Sequence, residues 1–552
     1  MKKFKELNKD KYISKTDYQN YKETYLKNKI ISKLFLNIYI EYHNYKYIKK
    51  ELLLSDNLLS NINGYSLDKQ QRSAVICDEN NILIVAGAGS GKTLTMVGKV
   101  RYLIENKAIK EEEILCISFT NESTKSLHKA INKYKEYKVQ VKTFHKLALD
   151  IISQSNTYCS IAPPDTLELV IEEYFNIEIY DDDKYQHYVI QYLKYFYKDP
   201  SIEYKYLINL KKVVIAFINT FKANGMEEEE FKKLFSRRNK KKNTLLLLII
   251  YKIYTIYHKE LRDNKQIDFN DMINISTKVI KDEKVKLNYK YILIDEYQDT
   301  SNTRYLLIKA IMGSTSAKLI VVGDDFQSIY AFTGCNLNIF LNFKKYFGYT
   351  KILKIENTYR CSKELITAAG KFVMENNKQL RKRLQSHKRL ERPIVICIYK
   401  DLIKKVEKII NEIFINSKET IMIIGRNNKD INAIIDNKTF SLKENKVIYN
   451  QNKAIDIYYL TVHKSKGLEE NNVIIINLID DVTGFPNKIQ DIDIIKMINN
   501  RSDIEIYEER RLFYVAITRT KNKVYLMTPY KNKSIFVNEI IKKHKSVVSF
   551  FK

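Results

Sequence analysis

Ile82-Leu83-Ile84-Val85-Ala86-Gly87-Ala88-Gly89-Ser90-Gly91-Lys92-Thr93 is an apolar strand that runs into a glycine-rich loop. Beyond it, Leu94, Met96, Val97, Val100 and Ile104 repeat at helical spacing, so the loop joins a strand to a helix. Gly87, Gly89 and Gly91 let the backbone turn its N–H groups onto phosphate oxygens. Lys92 can reach the β- and γ-phosphates, and the Thr93 hydroxyl can ligate Mg²⁺. Residues Ala86 to Thr93, with Ala88 and Ser90 between the glycines, therefore read as the cradle of a nucleoside triphosphate.

Outward from this loop, short apolar strands alternate with helical sequence. They are Ile114 to Phe119, Tyr291 to Ile294, Lys318 to Val322, Lys351 to Ile355, Thr420 to Ile424, Ile457 to Val462, Asn472 to Ile476 and Lys523 to Met527. This alternation indicates an α/β protein whose parallel sheets are covered by helices on both faces. Between Asp150 and Arg262 the pattern changes to long helical sequence rich in Tyr, Lys and Leu, such as Tyr188 to Tyr197 and Leu245 to Leu261. The expected division is a basic helical extension over 1–66, a first α/β domain over 67–150 and 262–350, a helical insertion over 151–261, and a second domain over 351–552. No internal repeat is visible, and six prolines and fourteen glycines leave few long flexible joints.

At 552 residues the chain can build several cores, and 45% hydrophobic with 29% charged residues describes a soluble globular protein. No apolar run approaches the roughly 20 residues of a membrane span. The opening Met1-Lys2-Lys3-Phe4-Lys5-Glu6 lacks a secretory apolar core. Cys77, Cys116, Cys159, Cys335, Cys361 and Cys397 lie far apart, which suggests neither a zinc site nor a disulfide framework and makes the cytoplasm the expected compartment. A net charge of +29 suggests a polyanionic partner. Codon bias toward Lys, Asn, Ile and Tyr accounts for part of that charge. Because only 16 of the 94 basic residues are arginine, arginines at motif positions are the more informative.

The strand Tyr291 to Ile294 ends in Asp295-Glu296-Tyr297-Gln298-Asp299. Acids at the end of a buried strand are costly unless they hold a cation. Asp295 is thus the candidate Mg²⁺ ligand, and Glu296 the base for the attacking water. The strand reaching Val322 ends in Gly323-Asp324-Asp325-Phe326-Gln327-Ser328-Ile329-Tyr330, where Gln327 is a candidate γ-phosphate sensor. Phosphoryl transfer needs positive charge at the transferring group, often an arginine from across a cleft. Arg360 and Arg519 are the candidates outside the first domain, although either one alone could be a surface arginine.

The ordered set resembles the UvrD/Rep-type DNA helicases of superfamily 1, and most nearly helicase IV and its relatives. It comprises Leu67-Asp68-Lys69-Gln70-Gln71-Arg72, the phosphate loop, Ser118-Phe119-Thr120-Asn121, Thr143-Phe144-His145, Asp295 to Asp299, Gly323 to Tyr330, Tyr359-Arg360, Thr461-Val462-His463-Lys464-Ser465-Lys466-Gly467-Leu468-Glu469 and Glu508 to Arg519. The match spans about residues 65 to 530, and the order and spacing of nine motifs carry it. The resemblance implies two RecA-like P-loop NTPase domains with ATP and Mg²⁺ in the cleft between them. It implies that Gln71 reads adenine, Tyr359 stacks on it, Glu469 contacts the ribose, and Arg360 and Arg519 act as fingers. It implies Phe119, Phe144, Tyr330 and Phe332 as stacking platforms for single-stranded DNA, with Asn121, Thr143 and His463 as polar contacts. Packing in a core is the alternative for each aromatic. The basic run Lys232 to Lys242 is a separate candidate to touch DNA from the helical insertion, with a solvated loop as its alternative.

The implied activity is an ATP-dependent DNA helicase or translocase, acting as a monomer 3′ to 5′ on single-stranded and tailed duplex DNA in repair or recombination. A protein-remodelling translocase that docks its partner through residues 1–66 is the alternative. Two departures bear on this choice. Only about 100 residues separate Arg360 from Thr461, so the large insertion that UvrD and Rep carry there is expected to be absent or vestigial. Phe332-Thr333-Gly334 stands where they have Trp-Arg-Gly. Translocation is therefore a firmer expectation than strong unwinding.

Overall fold

The computed structural model describes residues 10–25, 30–155, 159–236, 240–417, 419–488, 493–498 and 505–552. Two sheets organise the chain. The first holds β1 (Asn81–Ala86), β2 (Ile114–Ser118) and β3 (Gln140–Thr143). A two-stranded ladder of β4 (Ser160–Ile161) and β5 (Gln266–Ile267) stands apart, and β6 (Tyr291–Ile294), β7 (Lys318–Gly323) and β8 (Lys351–Ile355) complete the first sheet. Its order is β3-β2-β6-β7-β1-β8, with every ladder parallel. All six residues of β1 are buried, because helices cover both faces of the sheet.

The second sheet holds β9 (Ile394–Tyr399), β10 (Ile421–Gly425), β11 (Phe440–Lys443), β12 (Lys446–Tyr449), β13 (Ile457–Thr461), β14 (Glu470–Ile475), β15 (Thr520–Pro529) and β16 (Val548–Phe550). Its order is β11-β12-β13-β10-β14-β15-β9-β16. The hairpin β11–β12 is antiparallel and sits at one edge; the six strands from β13 onward are parallel to one another. The expected class, an α/β protein with helix-covered parallel sheets, is the one found.

Three expected boundaries move. β8 falls within the expected second domain, yet it pairs with β1, with Ile82 opposite Lys351, so the first lobe runs on to Ile355. Leu353 and Ile355 face the core while Ile352 and Lys354 are exposed, which suits a half-covered edge strand of the sheet it joins. The insertion's stem closes at the β4–β5 ladder, which places it near residues 160–267 in place of 151–261. The helix Phe144–Gln154 belongs to the first lobe's core.

The described part of the N-terminal extension holds helices Lys15–Tyr25 and Ile30–Leu54. Its described part is docked on the first lobe: Tyr12, Tyr47, Leu59 and Ile62 enter the core beneath the helix Lys92–Glu105. Tyr102 Oη donates to Glu51 at 2.8 Å, and Lys107 pairs with Glu51 at 2.8 Å.

The insertion has its own core, built by helices Thr166–Asn176, Asp183–Leu193, Tyr204–Ala223, Glu228–Ser236 and Lys241–Asp263. Within the basic run, residues 237–239 lie outside the described residues. Ile494 and Ile498, from the second lobe's helix Asp493–Ile498, are buried in that same core. None of the described helices is long and apolar enough to cross a membrane, and all six cysteines are free thiols.

Candidate active site and nucleic-acid path

β1 delivers the chain into the phosphate loop, where Gly89 and Gly91 adopt φ of 68° and 74°. Gly91 caps the helix that begins at Lys92, so the helix N-terminus faces whatever the loop holds. A cleft of about 840 Å³ opens there. It is lined from the first lobe by Gln71, Gly89 to Thr93, Asp295, Glu296 and Gln327, and from beyond β8 by Tyr359, Arg360, Lys466, Glu469 and Arg519. Ala86 and Ala88 are buried behind the loop. The Ser90 hydroxyl is buried without a hydrogen-bond partner.

β6 ends at the two acids. Asp295 Oδ1 accepts the Glu296 N–H at 2.9 Å, and Glu296 Oε1 stands 3.3 Å from Lys92 Nζ. Burial, then the neighbouring Glu296 charge, raises the Asp295 pKa. Burial also opposes the charge on Glu296, but Lys92 and Lys466 outweigh it and hold that carboxylate ionised. Glu296 sits at φ 51°, a left-handed conformation that costs a non-glycine residue about 1 kcal/mol or more. Gln298 fixes this corner: its Nε2 donates to Glu296 at 2.6 Å, and its Oε1 accepts the Asp324 N–H at 2.9 Å.

The two arginines turn inward. Arg519 is 1% exposed; its Nη2 donates to Gln327 Oε1 at 3.2 Å and its Nη1 to the Leu468 carbonyl at 3.2 Å. Burial and the nearby Arg360 lower its pKa to about 9, which leaves it cationic at neutral pH. Arg360 Nε donates to Glu469 at 2.5 Å and its Nη1 to the Thr518 carbonyl at 3.2 Å. Glu469, expected at the ribose, is thus ion-paired with a finger. Gln71 is similarly engaged: Oε1 accepts the Asp68 N–H at 2.9 Å, and Nε2 donates to the Ser90 carbonyl at 3.0 Å. A role in reading adenine requires it to give up one of these bonds. The Tyr359 hydroxyl donates to Asp68 at 2.9 Å and the ring is 55% exposed, so a face is free to stack.

Lys466 stands in one of the nine motifs, but the sequence assigns it no role of its own. Its Nζ pairs with Asp299 and donates to the Gln327 carbonyl at 2.8 Å, tying the second lobe to two motifs of the first. In so lysine-rich a chain, one lysine among others carries no signal of its own.

On the nucleic-acid side, Tyr330, Phe332 and His463 come together across the lobes. Phe332 meets the His463 ring edge-on at 5.2 Å, and the Tyr330 hydroxyl donates to the His463 carbonyl at 3.0 Å. A cleft of about 650 Å³ beside them is lined by Phe332, Arg426, Lys429, Thr461, His463 and Lys464. Phe332 is 56% exposed and Asn121 is exposed, as contacts for a strand require. Phe144 is a correction: it is 1% exposed in the first lobe's core and presents an edge to Phe119 at 5.3 Å, so it backs that ring and offers no free face. Thr143 is nearly buried, and its hydroxyl caps the following helix by accepting the Lys146 N–H at 3.1 Å.

Comparison with known proteins agrees with this geometry. The family model described as the UvrD/REP helicase N-terminal domain matches residues 67–348, and the UvrD-like helicase C-terminal domain matches 424–531. The chain belongs to the UvrD/REP helicase family. It is 25% identical to DNA helicase IV of Escherichia coli (strain K12) over 531 residues, covering 91% of this chain and 73% of that protein. It is 32% identical to ATP-dependent DNA helicase Rep of Buchnera aphidicola subsp. Schizaphis graminum over 373 residues, covering 65% of this chain and 52% of Rep. To ATP-dependent DNA helicase PcrA of Bacillus subtilis (strain 168) it is 26% identical over 339 residues, 60% of this chain and 42% of PcrA. The chain thus spans about half the length, or less, of the Rep and PcrA relatives it matches.

Proposed function

We propose that this protein is an ATP-dependent motor that moves 3′ to 5′ on single-stranded DNA and separates tailed duplexes, serving repair or recombination as a monomer. The observation that carries the reading is the Arg519–Gln327 hydrogen bond, which aims a second-lobe guanidinium into the cleft that holds Lys92 and Glu296. In this reading Glu296 accepts a proton from the water that attacks the γ-phosphate. Gln327 senses that phosphate, and Arg360 and Arg519 stabilise charge on the transferring group. Release of ADP and phosphate removes one link between the two banks, beside the direct contacts between the lobes, and favours reopening of the cleft. Bases stack on Phe119, Tyr330 and Phe332 while Asn121 and His463 make polar contacts.

Thr93 and Asp295 would hold Mg²⁺. Among the described residues no group of three or more His, Cys, Asp or Glu forms a cage. One carboxylate and one hydroxyl suit an ion that keeps its waters and shares phosphate oxygens. Held there by Thr93 and Asp295, the ion would supply positive charge against the phosphates and the buried acid pair.

The test is strand displacement on duplexes with a 3′ or a 5′ tail, with ATP hydrolysis measured in parallel. Displacement from the 3′ tail only is expected. Glu296→Gln should bind ATP and DNA but turn over about 10²–10⁴-fold more slowly; near-normal turnover would remove Glu296 as the base. A protein-remodelling role is favoured by one observation: between Arg360 and Thr461 the described chain forms β9 to β13 with their helices, and no second helical domain. Hydrolysis stimulated by a protein partner and little by naked DNA would select that reading.

A further inference from the structure

Arg304 has no part in the roles above, yet it stands where the nucleic-acid path meets the hydrolytic strand. It lies in the first turn of the helix Asn302–Thr315. Its guanidinium carbon is 5.0 Å from the centre of the Phe119 ring and 5.6 Å from that of Phe144. Its Nη1 donates to the Asp299 carbonyl at 3.1 Å. Among the described residues no carboxylate is ion-paired with it, so ring faces and a carbonyl hold this cation in place.

Asp299 is a junction. Its carbonyl also accepts from Cys335 Sγ at 2.8 Å, and its carboxylate is paired with Lys466 of the second lobe. Three residues upstream stands Glu296, in its strained left-handed turn. An unbroken run of contacts therefore leads from an aromatic ring on the strand path, through one planar cation, to the segment that carries the acids.

We propose that Arg304 is a positioning residue that ties Phe119 to Asp299, so that a base stacked on Phe119 alters the setting of Glu296 and accelerates hydrolysis. This rests on the DNA-motor reading. The role needs a planar group able to lie against a ring while donating at its edge, which arginine offers and lysine does not. A ring displaced by a base takes the guanidinium with it, because no ion pair pins that group elsewhere.

The test compares Arg304→Met, Arg304→Lys, Phe119→Leu and the Arg304→Met/Phe119→Leu double variant with the unaltered protein. For each, kcat and KM for ATP are measured without DNA and with saturating oligothymidine. The expected result is a ratio of DNA-stimulated to DNA-free kcat that falls about tenfold in Arg304→Met. Arg304→Lys should fall equally, the double variant should fall no further than the worse single variant, and KM for ATP should change less than about threefold. An unchanged ratio, losses that multiply in the double variant, or an equal fall in kcat with and without DNA would overturn the proposal. Restoration by lysine would do the same, since charge alone would then suffice. An unaltered protein whose hydrolysis ignores DNA would overturn the motor reading itself, a result distinct from any of these.

Discussion

His463 illustrates how surroundings decide what a polar residue can offer a strand. Burial, and then the charge of Arg426, lowers its pKa to about 4. Its unfolded value is near 6.5. The unfolded chain therefore takes up the proton first, and this residue costs folding stability as pH falls from about 6.5 through 4. At neutral pH it is a hydrogen-bonding group without charge, and in the proposed role it would meet DNA as such. The slope of log Kd against log salt for single-stranded DNA should then be the same at pH 6 in the unaltered protein and in His463→Gln. A difference near 0.7 would show a charged histidine on a phosphate. The same contrast separates what was legible here from what was not. Lys92, Thr93, Asp295, Glu296 and Gln327 were legible because loop chemistry and strand ends dictate them, Arg360 and Arg519 only through the family resemblance, and one cleft gathers them all. The burial of Phe144, the bonds already made by Gln71, and the bridges of Lys466 and Arg304 depend on which helices and lobes meet, which local spacing does not encode.

Strand and loop are joined at the phosphate loop by a second segment, the chain that follows β8. The Tyr359 N–H donates to the Gly89 carbonyl at 2.9 Å, and the Thr358 hydroxyl to the Ala88 carbonyl at 2.6 Å. A Cβ at Gly89 would stand 2.5 Å from Arg360 Cβ and 2.8 Å from Thr358 Oγ1, in a left-handed conformation. Gly89→Ala should therefore displace Arg360 and weaken ATP binding about tenfold or more, read by titration with a fluorescent ATP analogue. Gly313→Ala is the control: it sits in a helix with nothing within 4 Å, and should leave binding unchanged while adding up to about 1 kcal/mol of stability. The strands that flank this loop were readable because their apolar runs end in glycine or acid. β9 was missed although Ile394 to Ile398 is apolar, since a short buried run does not distinguish strand from helix. β3, with Gln140 and Lys142 alternating with Val141 and Thr143, and the hairpin around Glu444-Asn445 are half polar and carry a weak signal.

At the scale of the molecule the two lobes meet in more than the nucleotide cleft. Arg511 Nε donates to the Ser328 carbonyl at 2.7 Å, and Lys466 bridges to Asp299. The helix Asp493–Ile498 leaves the second lobe to lodge in the insertion, where Ile494 and Ile498 are buried and Asn224 Nδ2 donates to the Ile498 carbonyl at 3.0 Å. A motor that opens its cleft must either carry the insertion with the second lobe or pay out chain on both sides of that helix. Apolar burial favours the first, because withdrawing two isoleucines from a packed core costs several kcal/mol, by about 25 cal/mol per Å² of surface exposed. Ile494→Ala should weaken this seat by about 2–5 kcal/mol. Amide hydrogen exchange over residues 493–498 should then quicken about 30-fold or more, while β1 and the phosphate loop keep their protection. Unchanged exchange would mean that the helix is held by something other than the insertion's core, and that the second lobe moves without it.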